Sequence, residues 1–188
     1  MTIPTYYKRS LLILFSFALF ACGGRSIPEK AHAVEDFDVE RYLGTWYEIA
    51  RFDFYFERDL DNTTASYSLD EDGNVQVINR GFHIKDKEWK QAEGLAKFRG
   101  NKHVAELKVS FFGPFYSGYN VIALDADYQY ALVAGKSLDY LWILSREKTI
   151  PETVKQQYLT LAQEVGYDVS RLIWVNHNKE EQVSLPIE

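Results

Sequence analysis

The chain is poor in the residues that perform chemistry. Of 188 residues, one is cysteine and one is methionine. A single thiol, Cys22, cannot form an internal disulfide, so no covalent staple holds the fold. The four histidines, His32, His83, His103 and His177, are scattered, and none forms the His-x-x-x-His pair of a helical metal site. No Gly-x-Ser-x-Gly run supplies the strained nucleophile turn of a serine hydrolase. No apolar run approaches the roughly 20 residues needed for a membrane-spanning helix. Internal repeats and low-complexity tracts are absent too. Positive charge is in deficit, with 21 Lys and Arg against 27 Asp and Glu and a net charge of −6. An acidic surface is a poor match for nucleic-acid phosphates, so no nucleic-acid partner is expected.

What is present begins with an export signal. Lys8 and Arg9 precede an apolar stretch over residues 10–21, the layout of a cleaved signal peptide covering residues 1–21. Its removal takes two positive charges and no acid, moving the net charge from −6 to −8. Leu19-Phe20-Ala21-Cys22 resembles the lipobox of bacterial lipoproteins, in which the cysteine becomes the lipidated first residue; Phe20 is bulkier than the residue usual there. Gly23, following the cysteine, implies sorting to the outer membrane. Membrane attachment is then expected through acyl chains on Cys22. Residues 22–36 are expected as lipidated N-terminus and tether, and residues 37–188 as one domain.

The domain reads as strands. Period-two patterning and turn residues (Asp72-Gly73-Asn74, Gly100-Asn101, Gly113-Pro114, Lys136-Ser137) delimit strands at 44–56, 62–70, 74–84, 88–99, 103–112, 117–125, 129–136 and 139–146. Eight evenly spaced strands predict an up-and-down antiparallel barrel or a sandwich. Alternation places Ala65, Ala92, Gly94, Ala96 and Ala105 on the inner face, where side chains so small leave space. Pro151, Glu152 and Gly166 bracket one helix whose stripe, Val154, Tyr158, Leu161, Ala162 and Val165, should pack outside the barrel. Residues 172–175 read as a short edge strand.

Two motifs nearly one hundred residues apart belong together. Gly44-Thr45-Trp46 opens the first strand and Arg146 closes the eighth, at the same facing as Trp142. A guanidinium over an indole face is a favourable pair, so Trp46 and Arg146 are expected to stack and seal one end.

With these residues in place, the stretch from Phe37 to Val175 resembles the bacterial outer-membrane lipocalins. Gly44-x-Trp46 matches the family's first signature and Arg146 its third; Asp125-Ala126-Asp127-Tyr128 matches the second only loosely. The resemblance implies an eight-stranded all-β calyx with one C-terminal helix packed outside and no catalysis. It implies a fatty acid or lysophospholipid as ligand, and a role in envelope maintenance or lipid transfer.

Among inward-facing positions, Tyr67, Asn79, Tyr116, Asn120, Tyr140 and Trp142 are aromatic or polar, as an amphiphile's head group requires near the mouth of an apolar tube. The other reading is that these six satisfy one another in a core. Phe52, Phe54 and Phe56 share the inner parity and either line the rim or belong to a first loop. Phe111-Phe112-Gly113-Pro114-Phe115-Tyr116 is an aromatic cluster that could cap the pocket, touch a membrane or join two copies as a homodimer. A tethered scaffold without cargo and a lipid-modifying enzyme are the competing functional classes.

Overall fold

A computed structural model describes residues 26–179. The signal sequence, Cys22 and the last nine residues lie outside the described range. The strands are β1 (Gly44–Arg51), β2 (Leu60–Leu69), β3 (Val75–His83), β4 (Glu88–Phe98), β5 (Glu106–Phe112), β6 (Phe115–Leu124), β7 (Tyr130–Ala134), β8 (Leu141–Ser145) and β9 (Ile173–Trp174). The helices are α1 (Val39–Tyr42) and α2 (Glu152–Val165). Sequential strands pair antiparallel from β2 to β8, β8 pairs with β1, and β1 returns to β2, so the eight-stranded sheet closes. Closure leaves no long edge exposed. β9 joins β1 at Ala50 and Arg51, where β1 has left β2.

Two apolar clusters sit on opposite sides of this wall. One fills the lower barrel with Trp46, Tyr42, Phe37, Val75, Val77, Leu107 and Leu144. The other lies between the outer wall and α2, where Tyr158, Ala162 and Val165 meet Ile49, Phe52, Ile122 and Ile143. The Tyr158 hydroxyl donates to the Tyr130 carbonyl at 2.9 Å, tying helix to sheet. Gly166 ends α2 with φ at +113° and an N–H to the Ala162 and Gln163 carbonyls.

Three expectations are corrected. β1 ends at Arg51 rather than 56, and Tyr55–Glu57 form a 3-10 turn over the mouth. A bulge between Glu48 and Ala50 inserts one residue, and one extra residue exchanges inner and outer faces. Phe52 is therefore buried under α2 against Tyr167, not at the rim, and Arg51 turns to the buried Glu48. The third concerns the tether. From Ser26 onward the chain is bound to the outer wall: Asn120 Nδ2 donates to Ser26 O at 2.9 Å, and Ser26 Oγ to Glu106 Oε1. Val34 N donates to Val121 O at 2.9 Å and Phe37 N to His103 O at 2.9 Å. Gly118 makes room for this strap, since a Cβ there would lie 2.2 Å from Ser26 O. Within the described residues the packed unit thus extends back from 37 to residue 26.

Candidate functional site: a hollow with an aromatic mouth

The floor is built first. Trp46 is fully buried, and the Arg146 guanidinium carbon lies 3.9 Å from its ring centroid. Among the described residues Arg146 has no carboxylate partner; it donates to the carbonyls of Tyr128 (3.2 Å), Thr45 (2.9 Å), Arg41 (3.0 Å) and Tyr42 (3.2 Å). A buried-edge cation satisfied by carbonyls ties α1, β1 and the β6–β7 turn into one plug. Gly44, at φ +90°, takes a conformation that L side chains rarely adopt, and a Cβ there would meet Arg146 Nη1 at 3.5 Å. Asp125 organises the β6–β7 turn by accepting from the N–H groups of Asp127, Gln129 and Tyr130.

Above the floor three tyrosines converge. The Tyr119 hydroxyl lies 2.8 Å from that of Tyr42 and 2.8 Å from that of Tyr67. Burial pushes the pKa of all three phenols up, so they stay neutral. The chain's polar floor is therefore an uncharged hydrogen-bond network.

Over it opens a hollow of about 950 Å³. Its walls include Ala65, Ala92, Ala96, Val75, Val77, Leu107, Val109 and Leu144. The alanines leave the space, as the alternation predicted. Gly94 does not, because Phe111 packs where its side chain would be. Ala105 belongs to the closed end, bonded to Val34 and Val121. Asn79 faces the hollow between Ala65 and Ala92, its cross-strand neighbours, and its Oδ1 is buried with no partner.

Of the six positions singled out from sequence, Tyr67, Asn79, Tyr140 and Trp142 line the hollow. Asn120 does not: it is fully buried in the outer wall, its Nδ2 shared among the carbonyls of Ser26, Ala134 and Gly135. Tyr116 also lines the hollow, at the mouth, 40% exposed, with Lys108 over its ring. The inward face of β6 carries Tyr119, with Ser117 and Val121, in place of Asn120. The strand is covered outside by the strap and α2 and inside by the hollow, so both faces are buried and alternation gives no reading.

The mouth carries what the sequence did not flag. Glu57, in the 3-10 turn, accepts from Trp142 Nε1 at 3.0 Å. Beneath it Glu48 accepts from Arg51 Nη1 at 2.7 Å and Thr63 Oγ1 at 3.0 Å. Arg51 Nη2 donates to the Glu57 and Leu60 carbonyls, fastening the loop to β1. Burial pushes the Glu57 carboxyl up to about 8, with Glu48 adding to the rise. No spacing rule relates residues 48, 51, 57 and 142; only the closed barrel does. Around the rim Tyr55, Phe56, Phe112 and Phe115 are 74%, 59%, 62% and 79% exposed, and Ile84 and Leu138 extend this apolar collar.

Residues 37–177 match the model of the lipocalin-like domain family. The chain belongs to the lipocalin family. This lipocalin is 54% identical to the outer membrane lipoprotein Blc of Citrobacter freundii over 160 residues, 85% of this chain and 90% of that one. Identity to the Blc of Vibrio cholerae is 46%, covering 87% and 95%. The solved structure of insecticyanin from the tobacco hornworm Manduca sexta matches the fold with a TM-score of 0.64 at 20% identity, covering 81% and 87%. Lipocalins bind small hydrophobic molecules. Among the described residues no His, Cys, Asp and Glu group is placed to hold a metal, and no helix is long and apolar enough to cross a membrane.

Proposed function

We propose that this lipocalin carries a single-chain amphiphile, a fatty acid or lysophospholipid, at the bacterial outer membrane, anchored by acyl chains on Cys22 after removal of residues 1–21 and facing the periplasm. The observation that carries the reading is the open, alanine-walled hollow of about 950 Å³, a volume typical of small-molecule sites. Each methylene withdrawn from water contributes about 0.8 kcal/mol, so ten to fourteen give about 8–11 kcal/mol before ordering costs. Micromolar binding is the expected scale. A scaffold without cargo has no need of such a void, and an ester-cleaving enzyme needs a nucleophile-and-base pair that the lining does not supply among the described residues.

The anchor and the mouth favour each other. Cys22 precedes Ser26 by four residues, a reach of about 14 Å. Ser26 lies at the level of Gly118, about 10 Å along β6 from Phe115 at the mouth and about 20 Å from Leu124 at the closed end, at roughly 3.3 Å per residue. Four residues span the first distance and not the second. An anchor so placed holds the apolar collar toward the membrane, where lipid enters and leaves. The relatives named outer membrane lipoproteins support the location.

The test is titration of the purified chain with a fluorescent fatty acid, then displacement by unlabelled fatty acid and lysophospholipid. Saturable binding that Ala65→Phe weakens at least tenfold is expected, since that ring would project into the hollow beside Asn79. Binding that never saturates at any chain length, or that is indifferent to Ala65→Phe, would refute a cargo in the barrel.

A further inference from the structure

The Glu57 carboxylate at the mouth takes its hydrogen bond from a neutral group. Glu48 and Glu57 both stand in the wall of the hollow, and Arg51 is salt-bridged to the first of them. Arg51 places Nη1 on the Glu48 carboxylate and both bonds of Nη2 on backbone carbonyls. The Glu57 carboxylate is left with a neutral donor, the indole N–H of Trp142. Of the other cations at this end, Arg58 is paired with Asp53, Lys85 with Asp59, and Lys90 with Asp86 and Glu88, Arg80 lies over the Trp89 ring, and Lys136 also borders the hollow. The groups that act on Glu57 are Glu48 and Arg51 from β1, Tyr67 from β2 and Trp142 from β8. Without a ligand the carboxyl keeps its proton until about pH 8.

Beside this acid stands an aromatic wall. Tyr140 and Trp142 lie nearly parallel, 14° apart with centroids at 6.3 Å. Phe54 meets Tyr140 edge-on at 5.4 Å, and Phe56 meets Phe54 at 5.4 Å. Ring faces attract a cation that has lost part of its water, and a carboxylate in the same enclosure completes the pairing. All of these groups sit above an apolar tube, at the height where the head group of a chain-down amphiphile would rest.

We propose that Glu57, with Trp142, Tyr140 and Phe54, forms an ammonium subsite, so that the preferred cargo is a zwitterionic single-chain lipid whose head group ends in a primary or quaternary ammonium. The proposal rests on the lipid-carrier reading and names its ligand class. The ligand's cation takes the place beside the Glu57 carboxylate that Arg51, bonded to Glu48, does not fill, and Glu57 gives its proton to solvent as the ligand binds. A free fatty acid makes the opposite demand, because its carboxylate is compatible only with protonated Glu57.

The experiment is displacement of the fluorescent probe by three lysolipids of one chain length, carrying ethanolamine, choline or glycerol on the phosphate, and by the matching fatty acid, at pH 6.5 and 8.5. The two ammonium lipids should bind about tenfold more tightly than the glycerol lipid, the scale of one charge-assisted contact. Their affinity should rise with pH while that of the fatty acid falls. In Glu57→Gln the ratio of ammonium to glycerol lipid should drop by about tenfold and lose its pH dependence. Trp142→Phe, which keeps a ring and removes the N–H, should lower the ratio less. Equal affinities for the three head groups, or a ratio that Glu57→Gln leaves intact, overturn the subsite while the carrier function stands. Absence of saturable binding by all four lipids overturns both.

Discussion

Removal of the Trp46 indole is the perturbation whose outcome the structure fixes most closely. The ring is fully buried, lies 4.8 Å from Tyr42 centroid to centroid and carries the Arg146 guanidinium on its face. Trp46→Ala should destabilise by about 3–5 kcal/mol as a large-to-small core change. Loss of the stack is included there at about 0.5–1 kcal/mol, the lower end because Arg146 is partly open to solvent. Trp46→Phe keeps most of the filled volume and loses the indole bond to Tyr42 O, 2.8 Å long. That carbonyl retains Arg146 Nη2, so the cost should be only about 1 kcal/mol. Urea unfolding followed by far-UV circular dichroism reads both. At a slope of about 2 kcal/mol/M, alanine moves the midpoint by about 2 M and phenylalanine by about 0.5 M. A double-mutant cycle of Trp46→Ala with Arg146→Met isolates the pair, with about 0.5–1 kcal/mol of coupling expected. A midpoint for Trp46→Ala within about 0.3 M of the parent would show that the plug is not what closes this end.

The Glu57 carboxyl, pushed up to about 8 from an ordinary value of 4.5, keeps a proton in the folded chain that the unfolded chain has released. Stability should be flat below about pH 4.5, fall as the pH rises toward 8 and level off above it. Glu57→Gln should remove that slope; urea titrations at pH 5 and pH 8 showing equal slopes in both proteins would contradict it. Cys22→Ser should release the protein from the membrane fraction, and undiminished retention would end the anchoring claim. Phe112→Ser with Phe115→Ser should weaken capture of the unlipidated chain by phosphatidylethanolamine–phosphatidylglycerol vesicles at least tenfold, as each exposed ring contributes about 1.5–3 kcal/mol when buried. Unchanged capture, with a parent dimer in sedimentation that the double variant loses, would assign the collar to a second copy.

The sequence by itself determined the strands, the outer helix and the plug, and its family resemblance chose the barrel over a sandwich. Alternation over β2 to β5 is visible because one face meets water there, and Gly44, Trp46 and Arg146 announce the closed end through residue types that few other positions tolerate. The small side chains of Ala65, Ala92 and Ala96 already implied a hollow. Tertiary structure decided what faces it. The bulge after Glu48 sent Phe52 outward and brought Arg51 to Glu48, and a single inserted residue leaves no mark in a pattern of apolar and polar letters. Asn120 and Tyr119 exchanged roles because β6 is buried on both sides, by a strap that begins ninety-four residues earlier in the chain. Glu57 and Trp142, eighty-five residues apart, meet only because β8 closes against β1. The mouth's chemistry is thus a property of closure: it depends on which distant residues the ring of hydrogen bonds brings side by side, and local periodicity carries no record of that.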